Sequence, residues 1–155
     1  MEDVILAKHY HFYAAHRNQL LNDKCKNLHG HTYLVTIKLS LDLKDDGVSM
    51  LFSLADYYIE PLINKLDHST LVAKQDDRLI EVCAKYQDIF GKVIELPFVS
   101  TSLELLAFYI WLSVEKVFKG TLLEIEIKET LTSTISINKD MVESLKNKTK
   151  VFSLD

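Results

Sequence analysis

Residues 32–43 alternate apolar and polar side chains, with Tyr33, Val35, Ile37, Leu39 and Leu41 on one face, and predict a half-buried strand. Residues 4–16 are dense in β-branched and aromatic side chains with partial alternation and predict another. Residues 121–128 alternate strictly, placing Leu123, Ile125 and Ile127 on one side and Glu124, Glu126 and Lys128 on the other. Residues 133–138 make a partner strand, and Lys44-Asp45-Asp46-Gly47 supplies a turn.

Behind Ser53, an N-cap type, Leu54, Tyr57, Tyr58, Pro61, Leu62 and Leu66 recur at helical spacing; Pro61 should kink or split that helix. Residues 77–86 predict a short helix and 92–96 a short extended piece. Ser102 caps a strong helix over 103–118, with Leu106, Tyr109, Ile110 and Val114 inward and Gly120 ending it. From Lys139 the tail is polar and suffices for one or two helical turns. Strand, strand, helices, strand, strand predicts an α+β fold, an antiparallel sheet covered on one face by helices.

No repeat or Pro/Gly-rich linker divides the 155 residues, so residues 1–155 read as a single domain. A hydrophobic fraction of 48% excludes a disordered chain. Eighteen Lys+Arg against 22 Asp+Glu, a net charge of −4, argues against a broad nucleic-acid surface. The longest apolar run, Leu105 to Leu112, is far too short to span a membrane, and Met1-Glu2-Asp3 opens no secretory signal. Two cysteines make no disulfide framework and suit a cytoplasmic protein.

The chemistry lies in the histidines. His29-Gly30-His31 opens the second long strand, where residues i and i+2 point to one side and can converge on one ion. The glycine between them leaves room for a ligand. His16, ending the first strand, is a third donor if the two strands are neighbours. Three histidines without a fourth protein ligand suit a catalytic zinc with one open position. The plain alternative is a polar hairpin of solvated histidines. His9 and His11 share the i, i+2 spacing but face away from His16 in an unbroken strand, so they read as surface or interface residues.

Cys25, flanked by Lys24 and Lys26 and four residues before His29, is a candidate base whose thiol should be acidified by a nearby cation. Cys83 sits on an apolar helical face and reads as core. Asp67-His68 suggests a proton shuttle with its orienting partner. Glu129 closes a strand and can accept two N–H groups from a guanidine-like edge. Each of these, taken alone, also fits an ordinary loop or strand-end residue.

Together and in order, Phe12-Tyr13-Ala14-Ala15-His16-Arg17, Cys25-x-x-x-His29-Gly30-His31-Thr32-Tyr33, Leu66-Asp67-His68 and Lys128-Glu129-Thr130 resemble the 6-pyruvoyl-tetrahydropterin synthase family, from about residue 4 to residue 137. The three-residue gap between Cys25 and His29 is similar to its bacterial branch, the 6-carboxy-tetrahydropterin synthases of the queuosine pathway. The resemblance implies a tunnelling fold: a four-stranded antiparallel sheet with helices on one face. It also implies a homo-oligomer, trimers whose sheets form a barrel and which stack into a hexamer, with active sites at subunit interfaces. His16, His29 and His31 would hold zinc, Cys25 would be the base, and Asp67 with His68 would complete the proton relay. Glu129 would anchor a small-molecule pterin substrate, with Ser102 and Glu104 lining its pocket. The implied reaction converts 7,8-dihydroneopterin triphosphate to 6-carboxy-5,6,7,8-tetrahydropterin, losing triphosphate and acetaldehyde.

Three features depart from that pattern. Leu51 precedes Phe52 where an Asp or Asn is usual, Leu103 interrupts Thr101-Ser102-Leu103-Glu104, and the segment 70–100 is longer than expected. The polar tail covers 139–155. Two alternatives keep the same residues: elimination of triphosphate alone, giving a 6-pyruvoyl product, or a non-catalytic zinc- and pterin-binding relative. A zinc hydrolase lacks support, since no His-Glu-x-x-His helix is present.

Overall fold

Two long strands, β1 (Val4–His16) and β2 (His29–Leu41), pair antiparallel over their whole length, from Val4 opposite Leu41 to His16 opposite His29. The computed structural model describes residues 2–152, so Met1 and residues 153–155 of the expected domain and tail lie outside it. The rest of the chain supplies α1 (Phe52–Leu66), β3 (Ser69–Ala73), α2 (Asp77–Lys85), α3 (Gln87–Phe90), β4 (Lys92–Leu96) and α4 (Leu103–Glu115). It closes with β5 (Leu122–Lys128), β6 (Ile135–Asn138) and α5 (Lys139–Lys148).

The sheet has six strands in the order β4-β3-β1-β2-β5-β6, not four, and it is mixed, because β1–β3 and β3–β4 pair in parallel. The expected antiparallel four-stranded sheet is its β1-β2-β5-β6 portion. The added strands come from the long 70–100 segment and its approach. All five residues of β3 are buried, so it carries no alternation to read. Leu71 joins the main core, while Val72 packs with Leu79 and Cys83 of α2. Helices therefore cover both faces at this end of the sheet, instead of one.

Elsewhere the core fills one face. Phe12 and Ala14 of β1, and Tyr33, Val35, Ile37 and Leu39 of β2, meet α1 and α4. Helix α4 is buried nearly all round, including Leu103, Leu105, Phe108 and Trp111. Ser102 caps it, its Oγ accepting the Leu105 N–H at 3.3 Å.

Several local expectations change. Leu51, not Ser53, precedes the first turn of α1, with no side-chain cap. The helix runs unbroken through exposed Pro61, where the unpaired carbonyl belongs to exposed Tyr57. An irregularity between Lys38 and Leu39 pairs Leu39 with Leu122, so Leu122 turns inward and Leu123 outward, against strict alternation. Helix α4 ends at Glu115, not 118, and the tail makes ten residues of helix. Among the described residues no helix is long and apolar enough to cross a membrane.

Candidate active site

The β1–β2 register places His16 directly across from His29 and Ala14 across from His31. Strand parity then puts the three imidazoles on the core-facing side, next to buried Tyr33, and their ring centroids lie 4.8–5.1 Å apart. One nitrogen from each of His16, His29 and His31 lies within 4.8 Å of the others, a spacing that can hold a metal ion. His9 and His11 lie on the opposite, exposed face.

The ring orientations are fixed from outside. His16 Nδ1 donates to the Thr101 carbonyl at 2.8 Å and His29 Nδ1 to the Asn27 carbonyl at 2.6 Å. A carbonyl only accepts, so each Nδ1 carries the hydrogen and leaves Nε2 a free lone pair. The Nε2 atoms of His16 and His31 are buried without any hydrogen-bond partner. Burial lowers the His16 pKa to about 4, opposed by the Thr101 contact and reinforced by the other two histidines. Burial also lowers that of His31, against the pull of the Glu129 carboxylate. Buried imidazole nitrogens without partners fit a divalent cation of nitrogen preference.

Glu129, one residue beyond β5, aims the same way. Its Oε2 lies 3.7 Å from His31 Nε2 and 3.8 Å from His16 Nε2, and is itself buried and unpartnered. A Cβ at Gly30 would meet the Ala14 carbonyl at an ordinary 3.6 Å, so no neighbouring protein atom requires glycine there.

The acid–base candidates divide. Asp67 and His68 do pair, His68 Nδ1 lying 2.9 Å from Asp67 Oδ2, while Asp67 Oδ1 accepts the Tyr13 N–H at 2.9 Å. The Tyr13 N–H, the His68 hydrogen bond and burial, in that order of weight with burial opposing, hold the Asp67 carboxyl below its ordinary value. His68 adopts a left-handed φ of 56° and lies edge-on to the Tyr13 ring at 5.5 Å. Tyr13 is exposed between buried Phe12 and Ala14, so this pair occupies the sheet face opposite the three imidazoles. There it borders an open groove of about 450 Å³ floored by Ala15, Gly30 and Thr32.

Cys25 lies in a short turn of the β1–β2 loop, its N–H bonded to Asp23 Oδ1 at 2.8 Å. Partial burial, then the Asp23 carboxylate and Glu129, push its thiol up, against Lys24. Lys24 and Lys26 are exposed, where water screens their charges. Among the described residues no hydrogen bond or ion pair joins Cys25 to Asp67 or His68.

Ser102 is engaged as the α4 cap, Glu104 is exposed in the first turn, and Leu103 is buried in the core. Leu51 is exposed beside a groove with Val4, at the far end of β1 from His16, about 40 Å along a strand of this length.

Two supporting residues carried no signal in the spacing. Thr101, 1% exposed, braces His16 and also donates its hydroxyl to the Arg17 carbonyl at 3.0 Å. Arg17 makes a two-pronged contact with buried Asp76, at 2.7 and 2.5 Å, tying the end of β1 to the α2 cap.

The sequence profile of the 6-pyruvoyl tetrahydropterin synthase family matches residues 5–140. The chain is 27% identical over 108 residues to the 6-carboxy-5,6,7,8-tetrahydropterin synthase of Haemophilus influenzae, covering 66% of this chain and 77% of that one. It is 29% identical over 139 residues to the 6-pyruvoyl tetrahydrobiopterin synthase of Dictyostelium discoideum, covering 82% and 90%. The solved 6-pyruvoyl tetrahydropterin synthase of Plasmodium falciparum superposes with a TM-score of 0.67 at 20% identity, over 90% of this chain and 99% of that chain, and so shares the fold. With a profile spanning most of the sequence and a common fold, the chain belongs to the 6-pyruvoyl tetrahydropterin synthase family.

Proposed function

We propose that this protein is a zinc-dependent lyase converting 7,8-dihydroneopterin triphosphate to 6-carboxy-5,6,7,8-tetrahydropterin, the queuosine-pathway reaction. The observation that carries this reading is the convergence of His16, His29 and His31, with the Nε2 atoms of His16 and His31 buried and unpartnered. The spacing of Cys25 and His29 and the Haemophilus influenzae relative support the 6-carboxy product. When bound, zinc supplies Lewis-acid stabilisation of negative charge developing on the side-chain oxygens of the substrate.

The chain's own residues do the rest. Cys25 takes the proton from the substrate side chain, and Asp67 holds the His68 ring so that it can pass a proton. Glu129 accepts the N–H groups of the pterin's pyrimidine edge, a charge-assisted contact. Arg17 and Lys38 are engaged with carboxylates, which leaves exposed Lys24 and Lys26 as the basic groups nearest Cys25 for the triphosphate.

Because the Asp67–His68 pair and the imidazoles occupy opposite faces, a complete site takes His68 from a second copy. The outer edge of β1 from Val4 to Phe12 pairs with no strand among the described residues, and β6 pairs only with β5. Exposed Ile5, Tyr13 and Leu34 lie on the uncovered face. A ring of copies would pair the edges and cover that face, which supports a trimer-based assembly, completed as a hexamer.

Mass analysis of the product from 7,8-dihydroneopterin triphosphate tests the reaction, with 6-carboxytetrahydropterin and acetaldehyde expected. A second reading, triphosphate elimination to a 6-pyruvoyl product, is favoured by the broader coverage of the Dictyostelium discoideum relative. The same assay separates them, because only the first releases acetaldehyde. Unchanged substrate with zinc-loaded protein would defeat both.

A further inference from the structure

The Glu129 carboxylate stands beside two of the three imidazoles, those of His16 and His31. Two donors on a tetrahedral zinc, each at about 2.0–2.2 Å, lie about 3.4 Å from one another. Glu129 Oε2 is 3.7 Å from His31 Nε2 and 3.8 Å from His16 Nε2, close to that separation. All three atoms are buried, and none has a hydrogen-bond partner. Leaving a carboxylate oxygen buried without a donor is costly, and two orphaned imidazole nitrogens beside it add to the cost. A single cation among them satisfies every one of these atoms.

We infer that Glu129 is the fourth ligand of the metal in the substrate-free protein, closing a site that three histidines alone would leave open. This rests on the reading of His16, His29 and His31 as the zinc site. An oxygen of the incoming substrate must then displace the carboxylate before it can reach the metal.

The displacement has a further consequence for the substrate. The pyrimidine edge and the reacting side chain of a pterin lie at opposite ends of a rigid bicycle. One carboxylate therefore cannot lie at the metal and hold that edge in the same position. Glu129 has two stations, and leaving the metal makes its charge available to the ring N–H groups. Substrate capture and opening of the metal become one event, which disfavours an open metal in the absence of substrate.

The test measures zinc affinity by competition with a chromophoric chelator for the wild type, Glu129→Gln and His29→Ala. It adds a crystal structure of the zinc-loaded, substrate-free wild type. Glu129→Gln should still bind one zinc per chain, about 10- to 100-fold more weakly. The crystal structure should show a Glu129 oxygen at about 2.0–2.2 Å from zinc. A water in that place, or a Glu129→Gln affinity within about twofold of wild type, overturns the inference while the histidine site stands. Full zinc binding by His29→Ala overturns the histidine site itself, and with it this inference.

Discussion

His16 gives its Nδ1 hydrogen to the main-chain carbonyl of Thr101, 2.8 Å away, and the Thr101 hydroxyl donates to the carbonyl of the very next residue, Arg17. The end of β1 is thus held by the segment entering α4. Thr101→Val removes the hydroxyl bond and keeps the bulk. It should lower stability by about 1 kcal/mol and weaken zinc binding several-fold, through a looser His16 ring. Urea unfolding and chelator competition measure the two effects. Unchanged zinc affinity would mean that the carbonyl alone sets the ring.

The opposite-face placement of His68 makes a complementation experiment decisive. Cys25→Ala and His68→Ala should each be nearly inactive as homogeneous proteins. Unfolded together and refolded as mixed oligomers, they should recover activity, because some interfaces then combine an intact Cys25 with an intact His68. No recovery in a mixture shown by mass to be hetero-oligomeric would place both groups within one chain's site.

Base and metal should separate cleanly in Cys25→Ala. Zinc content should stay at the wild-type level while turnover falls ~10²- to 10⁴-fold, the typical loss for one general-base step. Metal analysis and kcat on the same preparation check this. Zinc lost with the thiol would make Cys25 a ligand.

The Arg17–Asp76 contact predicts acid sensitivity. Burial pushes the Asp76 carboxyl up, but Arg17 and the Leu79 N–H outweigh it and hold the group below its ordinary value. Between the two values the unfolded chain binds more protons than the folded one, so stability rises with pH there. The contribution is full above the ordinary carboxylate value, about 4, and is lost as pH falls through the lower folded value. Asp76→Asn, which still caps α2, should cost roughly 1.5–3 kcal/mol at neutral pH, the worth of a hydrogen bond to a charged group. That difference should shrink as both proteins are unfolded at progressively lower pH; a pH-independent difference would assign it to packing.

What could be read from the sequence follows from how many faces each element buries. β2 buries one face, and its alternation from Tyr33 to Leu41 is visible residue by residue. β3 buries both, so Ser69–Ala73 offers no period, and the parallel half of the sheet stayed hidden. The histidine cluster was legible because β1 and β2 are neighbours in the chain and parity alone puts His16 with His29 and His31. Thr101 was not, since it acts through a main-chain carbonyl that any residue possesses. Nor was the facing of His68, which depends on one left-handed residue at the entrance to β3.

Zinc content of the purified protein, set against His29→Ala and His9→Ala, is the most direct test of the metal centre on which the proposed chemistry depends. About one zinc per chain is expected in the wild type and in His9→Ala. His29→Ala, folded by circular dichroism, should lose most of its zinc. Full occupancy in folded His29→Ala, or loss of zinc from His9→Ala, would contradict the account.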